Sequence, residues 1–152
     1  MNSNRLFFFA LFGLMITTAC VSSESEMLRQ ARTIQNDLLQ QVDALDSTMT
    51  VKLTAMNNEQ SALSMDTTMA TDSVKMKSFM MAKERIDNLS ALQSELTDWR
   101  SNITLLPSVE EMSNGAENPF GEKAKDQDIL ASIKKSQDAF NTLKMKAEAA
   151  MK

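Results

Sequence analysis

The chain has no histidine and no tyrosine, and only one cysteine, two prolines, three glycines and one tryptophan among its 152 residues. Without histidine, the usual neutral-pH general base and the commonest protein ligand of zinc and haem iron are missing. Three scattered glycines leave no phosphate-cradling loop to write. Neither glycine nor proline occurs between Leu14 and Leu106, and because both punctuate turns, hairpins, sandwiches and alternating α/β folds are excluded over that stretch. Carboxylate pairs remain, Glu110 with Glu111 and Asp126 with Asp128. Neither has the glycine or the distal glutamate of a calcium loop, so both read as solvated acidic surface. The expectation is a protein that is not an enzyme and holds no cofactor.

Residues 1–19 read as an export leader. Arg5 supplies the positive n-region, residues 6–16 the apolar h-region, and Thr17, Thr18 and Ala19 bring small residues up to a cleavage point before Cys20. The stretch is too short to span a bilayer as a permanent helix. Its order resembles a bacterial lipoprotein signal, which implies diacylglycerol transfer onto the Cys20 thiol and cleavage just before that residue. Thr17 departs from the Leu, Val or Ile of the common lipobox, while Ala19 fits it. A free thiol at an exposed mature terminus would be a liability in an oxidising compartment. Acylation would hold the protein at a membrane, since each buried methylene contributes roughly 0.8 kcal/mol and two or three chains anchor durably.

Without the leader, the net charge of −4 becomes one unit more negative through loss of Arg5, which argues against a nucleic-acid partner. Phe7, Phe8, Phe9 and Phe12 leave as well, so Phe79, Phe120, Phe140 and Trp99 are the only aromatics of the mature chain. A narrow seam of Leu, Ile, Met and Ala is therefore expected, in slender helices.

Three amphipathic helices are legible. Met27, Ala31, Ile34, Leu38, Val42, Leu45, Met49, Leu53 and Met56 step by three and four, averaging the period of a straight α-helix over residues 23–58. Ser23 with Glu26 has capping-box spacing at its start. Residues 57–71 are rich in Asn, Ser, Thr and Asp, which compete with helical backbone bonding, and the first reversal is expected there, with a weakened continuous helix as the alternative. Asp72 is the expected N-cap of a second helix over residues 72–106, striped by Phe79, Ala82, Ile86, Leu89, Leu92, Leu96, Trp99 and Ile103 and stopped at Pro107. Residues 107–121 hold both prolines and two glycines and read as a loop. Within it Asn118, Pro119 and Phe120 read as a turn with one anchoring aromatic. Ile129, Ile133, Phe140, Leu143, Ala147 and Ala150 mark a third helix over residues 122–151. The fold expected for residues 23–152 is all-α: a three-helix bundle, or a long antiparallel helical hairpin with a third packed helix, coiled-coil-like.

Methionine is abundant, with 13 in the chain. Thioethers are soft ligands suited to Cu(I), and Met65 with Met69, and Met76 with Met80, have the i, i+4 spacing that puts two sulfurs on one helical face. Flexible core filling is the competing use of the same residue type. Trp99 reads as a packing residue, with partner recognition as its alternative role.

The layout of leader, cysteine, Met- and Leu-striped first helix and polar Asp/Thr connection resembles small helical lipoproteins of Bacteroidota often labelled "viral A-type inclusion protein". The likeness continues through residues 92–99 (LQSELTDW) and 111–115 (EMSNG). The label reflects coiled-coil similarity, and the resemblance implies no activity or site residues. The function expected is that of a lipid-anchored, non-enzymatic spacer, tether or protein-interaction module, with a methionine-rich Cu(I)-binding protein as the alternative. The expected location is the bacterial envelope, on the periplasmic side or at the outer membrane. Expected partners are the membrane, through N-terminal acyl groups such as palmitate, and an envelope protein or a second copy.

Overall fold

The computed structural model describes residues 24–66 and 71–152. Four helices follow one another: α1 (Glu26–Ser64), α2 (Ser73–Asn102), the short α3 (Val109–Ser113) and α4 (Asp126–Ala150). Three long helices, α1, α2 and α4, pack against one another in every pairing, giving an all-α bundle.

The ends of the helices follow local chemistry. Ser25 caps α1, its side chain accepting from the Leu28 N–H at 3.2 Å. The cap is thus Ser25 and not the expected Ser23, which lies outside the described residues. Glu26 in the first turn complements the positive end of the helix dipole. The helix then runs through the polar residues 57–64, past its expected end at residue 58, and the reversal comes between Ser64 and Ser73, in the later part of the expected stretch. Leu63 is half-buried there, so partial tertiary cover outweighs weak propensity, and the Ser64 hydroxyl donates back to the Ser61 carbonyl at 2.7 Å where the helix ends. At 39 residues, α1 is about 58 Å long.

Asp72 caps α2 as expected, its Oδ1 accepting from the N–H groups of Val74 at 2.9 Å and Lys75 at 3.2 Å. α2 ends at Asn102, four residues before the expected boundary, and Ile103 is already extended. The early stop frees residues 103–106 to cross the end of the bundle and bury Leu106 against α1. The expected loop contains α3, closed by a capping box in which Ser108 and Glu111 satisfy each other's backbone N–H groups. α4 begins at Asp126, later than the expected residue 122, because Gly121 sits at φ +96 in a turn where its N–H donates to the Asn118 carbonyl at 2.9 Å.

The buried side chains form two clusters. A basal one joins Ala31, Leu106, Ile129 and Ile133, with Phe120 packed on it. Phe120 is therefore the anchoring aromatic of a turn, and its N–H donates to the Asn118 side chain at 3.0 Å. The central cluster runs from Leu38 to Met56 on α1, Ile86 to Leu96 on α2 and Phe140 to Ala147 on α4. The α1 stripe needs two corrections: Met27 is exposed, and Ile34 is only half-buried while Gln35 takes the core position. Ala31, Gln35, Leu38 and Val42 preserve the three-four rhythm with a polar residue inside it.

Candidate functional site

The lengths of the three helices differ, and this shapes the surface. Met151, at the end of α4, lines an open groove of about 490 Å³ with Ser47, Thr48, Val51, Lys52 and Ala55 of α1. α1 continues past this level to Ser64, roughly 14 Å further, and the first turns of α2 run back alongside it. The result is a two-helix arm beyond the three-helix body. Among the described residues, none in 57–66 or 71–85 is buried, and Gln60, Leu63, Lys75, Phe79 and Ala82 along the seam are only half-covered.

The arm is unusually apolar on its outside. Val74, Met76, Met80 and Met81 of α2 are exposed, and Met65 at the end of α1 is 81% exposed. Lys77, Met80, Met81, Lys83, Glu84 and Asp87 line one shallow cleft on the outer face of α2. The ammonium of Lys75 donates to Asp66 at 2.6 Å, closing the base of the turn, and that hydrogen bond raises the lysine pKa above its ordinary value. Lys83 reaches Asp87 at 2.9 Å one turn along the same helix, with the same upward effect on its pKa. Both pairs are solvent-accessible and add little to stability.

The opposite end of the molecule is acidic. Glu110, Glu111, Glu117, Glu122, Asp126 and Asp128 outnumber Lys123 and Lys125 between α3 and the start of α4. Hydrogen bonds from the Ser108 backbone N–H and then the Ser108 hydroxyl, helped by the charge of Arg32, hold the Glu111 carboxyl below the ordinary carboxylate range. Leu105, Val109 and Met112 are exposed beside these acids.

The residues singled out by sequence fall as follows. Cys20 and Met69 lie outside the described residues. Met65, Met76 and Met80 are all on the arm and exposed. Met76 and Met80 are one helical turn apart on α2, while Met65 belongs to the cap of α1. Trp99 is half-buried, its ring 5.5 Å from that of Phe140 at 45°, so it serves packing between α2 and α4. Sequence reasoning missed Gln35, whose side-chain amide donates to the Leu106 carbonyl at 3.1 Å and accepts from the Leu106 N–H at 2.7 Å. No local signal marked it, because Ile34 beside it keeps the apolar stripe unbroken in the sequence. No group of His, Cys, Asp or Glu suited to a metal ion occurs among the described residues. No described helix is long and apolar enough to cross a membrane.

Comparison of the chain with protein-family models, curated proteins and solved structures gives no match.

Proposed function

We propose that the protein is exported, acylated on Cys20, and acts as a lipid-anchored spacer, tether or protein-interaction module of the bacterial cell envelope, without catalytic activity. The observation that carries this reading is the placement of the arm. α1 begins at Glu26, six positions after Cys20, and runs without a break for about 58 Å to the arm. An acyl group on Cys20 would therefore fix the basal end at the bilayer and hold the exposed methionines of the arm farthest from it. A rigid rod with an apolar tip suits contact at a distance. The absence of histidine supports a non-catalytic role.

The test is metabolic labelling of the full chain with an alkyne analogue of palmitate in a bacterial host, followed by fractionation. Wild type takes the label and sediments with membranes, and Cys20→Ser loses both properties. Recovery of an unlabelled polypeptide with intact Met1 overturns the proposal.

A second reading, Cu(I) binding, is supported by the exposure of Met76 and Met80 one turn apart on α2. A competitive Cu(I) titration of the full chain decides it. Affinity weaker than micromolar, or affinity unchanged in a Met76→Leu/Met80→Leu variant, ends that reading.

A further inference from the structure

We infer that Asn114 is a site of spontaneous deamidation, and that the C-terminal cap of α3 sets its rate. The inference goes beyond the reading above and needs neither acylation nor the arm. Asn114 and Gly115 are the only Asn-Gly pair in the chain. Both are exposed, and a Cβ built on Gly115 would meet nothing within 4 Å, so no neighbouring side chain shields the glycine nitrogen. Asn118 is followed by Pro119, whose nitrogen carries no hydrogen and cannot close the ring that deamidation requires. The other described asparagines lie within the long helices α1, α2 and α4. Asn114 stands apart from both groups.

The reaction needs only this pair and water. The Gly115 backbone nitrogen gives its proton to solvent and attacks Cγ of Asn114, closing a succinimide as the Cγ–Nδ2 bond breaks and ammonia leaves. Water then adds to either imide carbonyl and opens the ring to aspartate or isoaspartate. The folded cap holds the reacting atoms apart. Asn114 sits at φ −88 and ψ 10, which turns the Gly115 nitrogen away from the side chain. Ring closure requires rotation about the Asn114 Cα–C bond until that nitrogen eclipses Cβ. Two hydrogen bonds oppose the rotation, from the Gly115 N–H to the Met112 carbonyl at 3.2 Å and from the Ala116 N–H to the Glu111 carbonyl at 2.9 Å. With Gly115 at φ +87 they form a Schellman cap, which is why a glycine stands here. Attack proceeds from the opened cap, so its rate follows the open population. Either product weakens the cap. The isoaspartyl link adds a methylene to the backbone, and the new carboxylate meets the negative end of α3 in a segment that already holds Glu110, Glu111 and Glu117.

The experiment incubates the full chain at mildly alkaline pH, folded and in urea, and follows Asn114 by peptide mass mapping and an isoaspartate assay. Conversion is expected at Asn114 in the folded chain and not at Asn118, and it is expected to run several times slower than in urea. Glu111→Ala removes the capping-box carboxylate at the other end of α3. It is expected to raise the folded rate about threefold and to leave the rate in urea unchanged. Glu111→Gln keeps the box and is expected to stay near wild type. Circular dichroism checks that each variant retains its helix content. No conversion at Asn114 in the folded chain, equal rates folded and in urea, or a folded rate unmoved by Glu111→Ala overturns the inference.

Discussion

Gln35 and Leu106, 71 residues apart in sequence, are joined by two hydrogen bonds in which one side-chain amide satisfies both the N–H and the carbonyl of one backbone residue. Gln35 is 6% exposed and Leu106 5%. Neither bond competes with bulk water, and the residue that follows is Pro107, which has no N–H of its own to offer. Replacing Gln35 by Leu keeps the volume of the core but strands two buried backbone groups. The expected loss is about 2–4 kcal/mol of unfolding free energy, read by urea denaturation. A loss below about 0.5 kcal/mol, within the range of ordinary surface substitutions, means water replaces the amide and the clamp has no structural weight.

Phe140 is fully buried and stacks against Trp99. Phe140→Ala removes the ring and leaves a cavity, for which about 3–5 kcal/mol is expected. Trp99 is the only tryptophan, so fluorescence reports the surroundings of this one residue. The emission of the folded variant is expected to move to longer wavelength as water reaches the indole. An unshifted spectrum places Trp99 on other neighbours.

Glu111 has a folded pKa below its ordinary value because Ser108 bonds its ionised form. A depressed carboxylate pKa contributes stability that is present above the unfolded value and lost as pH falls through the folded one. The α3 cap is therefore expected to hold at neutral pH and to release in acid, with faster amide exchange at Ser108 and Met112 while the central core stays protected. Glu111→Ala should show the released behaviour at every pH. Equal exchange in wild type and variant at neutral pH contradicts the capping box.

The methionines divide by environment. Met49 and Met56 are buried in the central cluster, whereas Met65, Met80, Met81 and Met145 are exposed. Limited hydrogen peroxide is expected to convert the exposed group to sulfoxides first, without loss of helix content, and the buried pair only on unfolding. Peptide mass mapping against circular dichroism gives the order. Early oxidation of Met49 would show that the central cluster opens in the native state.

Much of the bundle is legible in the sequence because its core is built by repetition. The stripes from Ile86 to Leu96 and from Ile129 to Ala147 are buried along their length, as a period near 3.6 requires. Asp72 announces its helix by chemistry that acts within three residues. What sequence reading misses are effects of distant partners. Residues 57–64 look like a turn by propensity and become helix beside α2, and residues 103–106 look helical until Leu106 is drawn to Gln35. Of the methionine constellation, exposure on the arm follows from α4 ending before α1 does, and no local pattern encodes that difference in length.

The connection between α1 and α2 has a mechanical consequence. A pull applied between the amino-terminal end and the outer face of α2 is shared among three packed helices along the body, but beyond Met56 it falls on α1 and α2 alone. The seam near the tip, where none of the described side chains is buried, is then the first to yield. The molecule would behave as a strut with a compliant end, lengthening under tension while its centre keeps its shape.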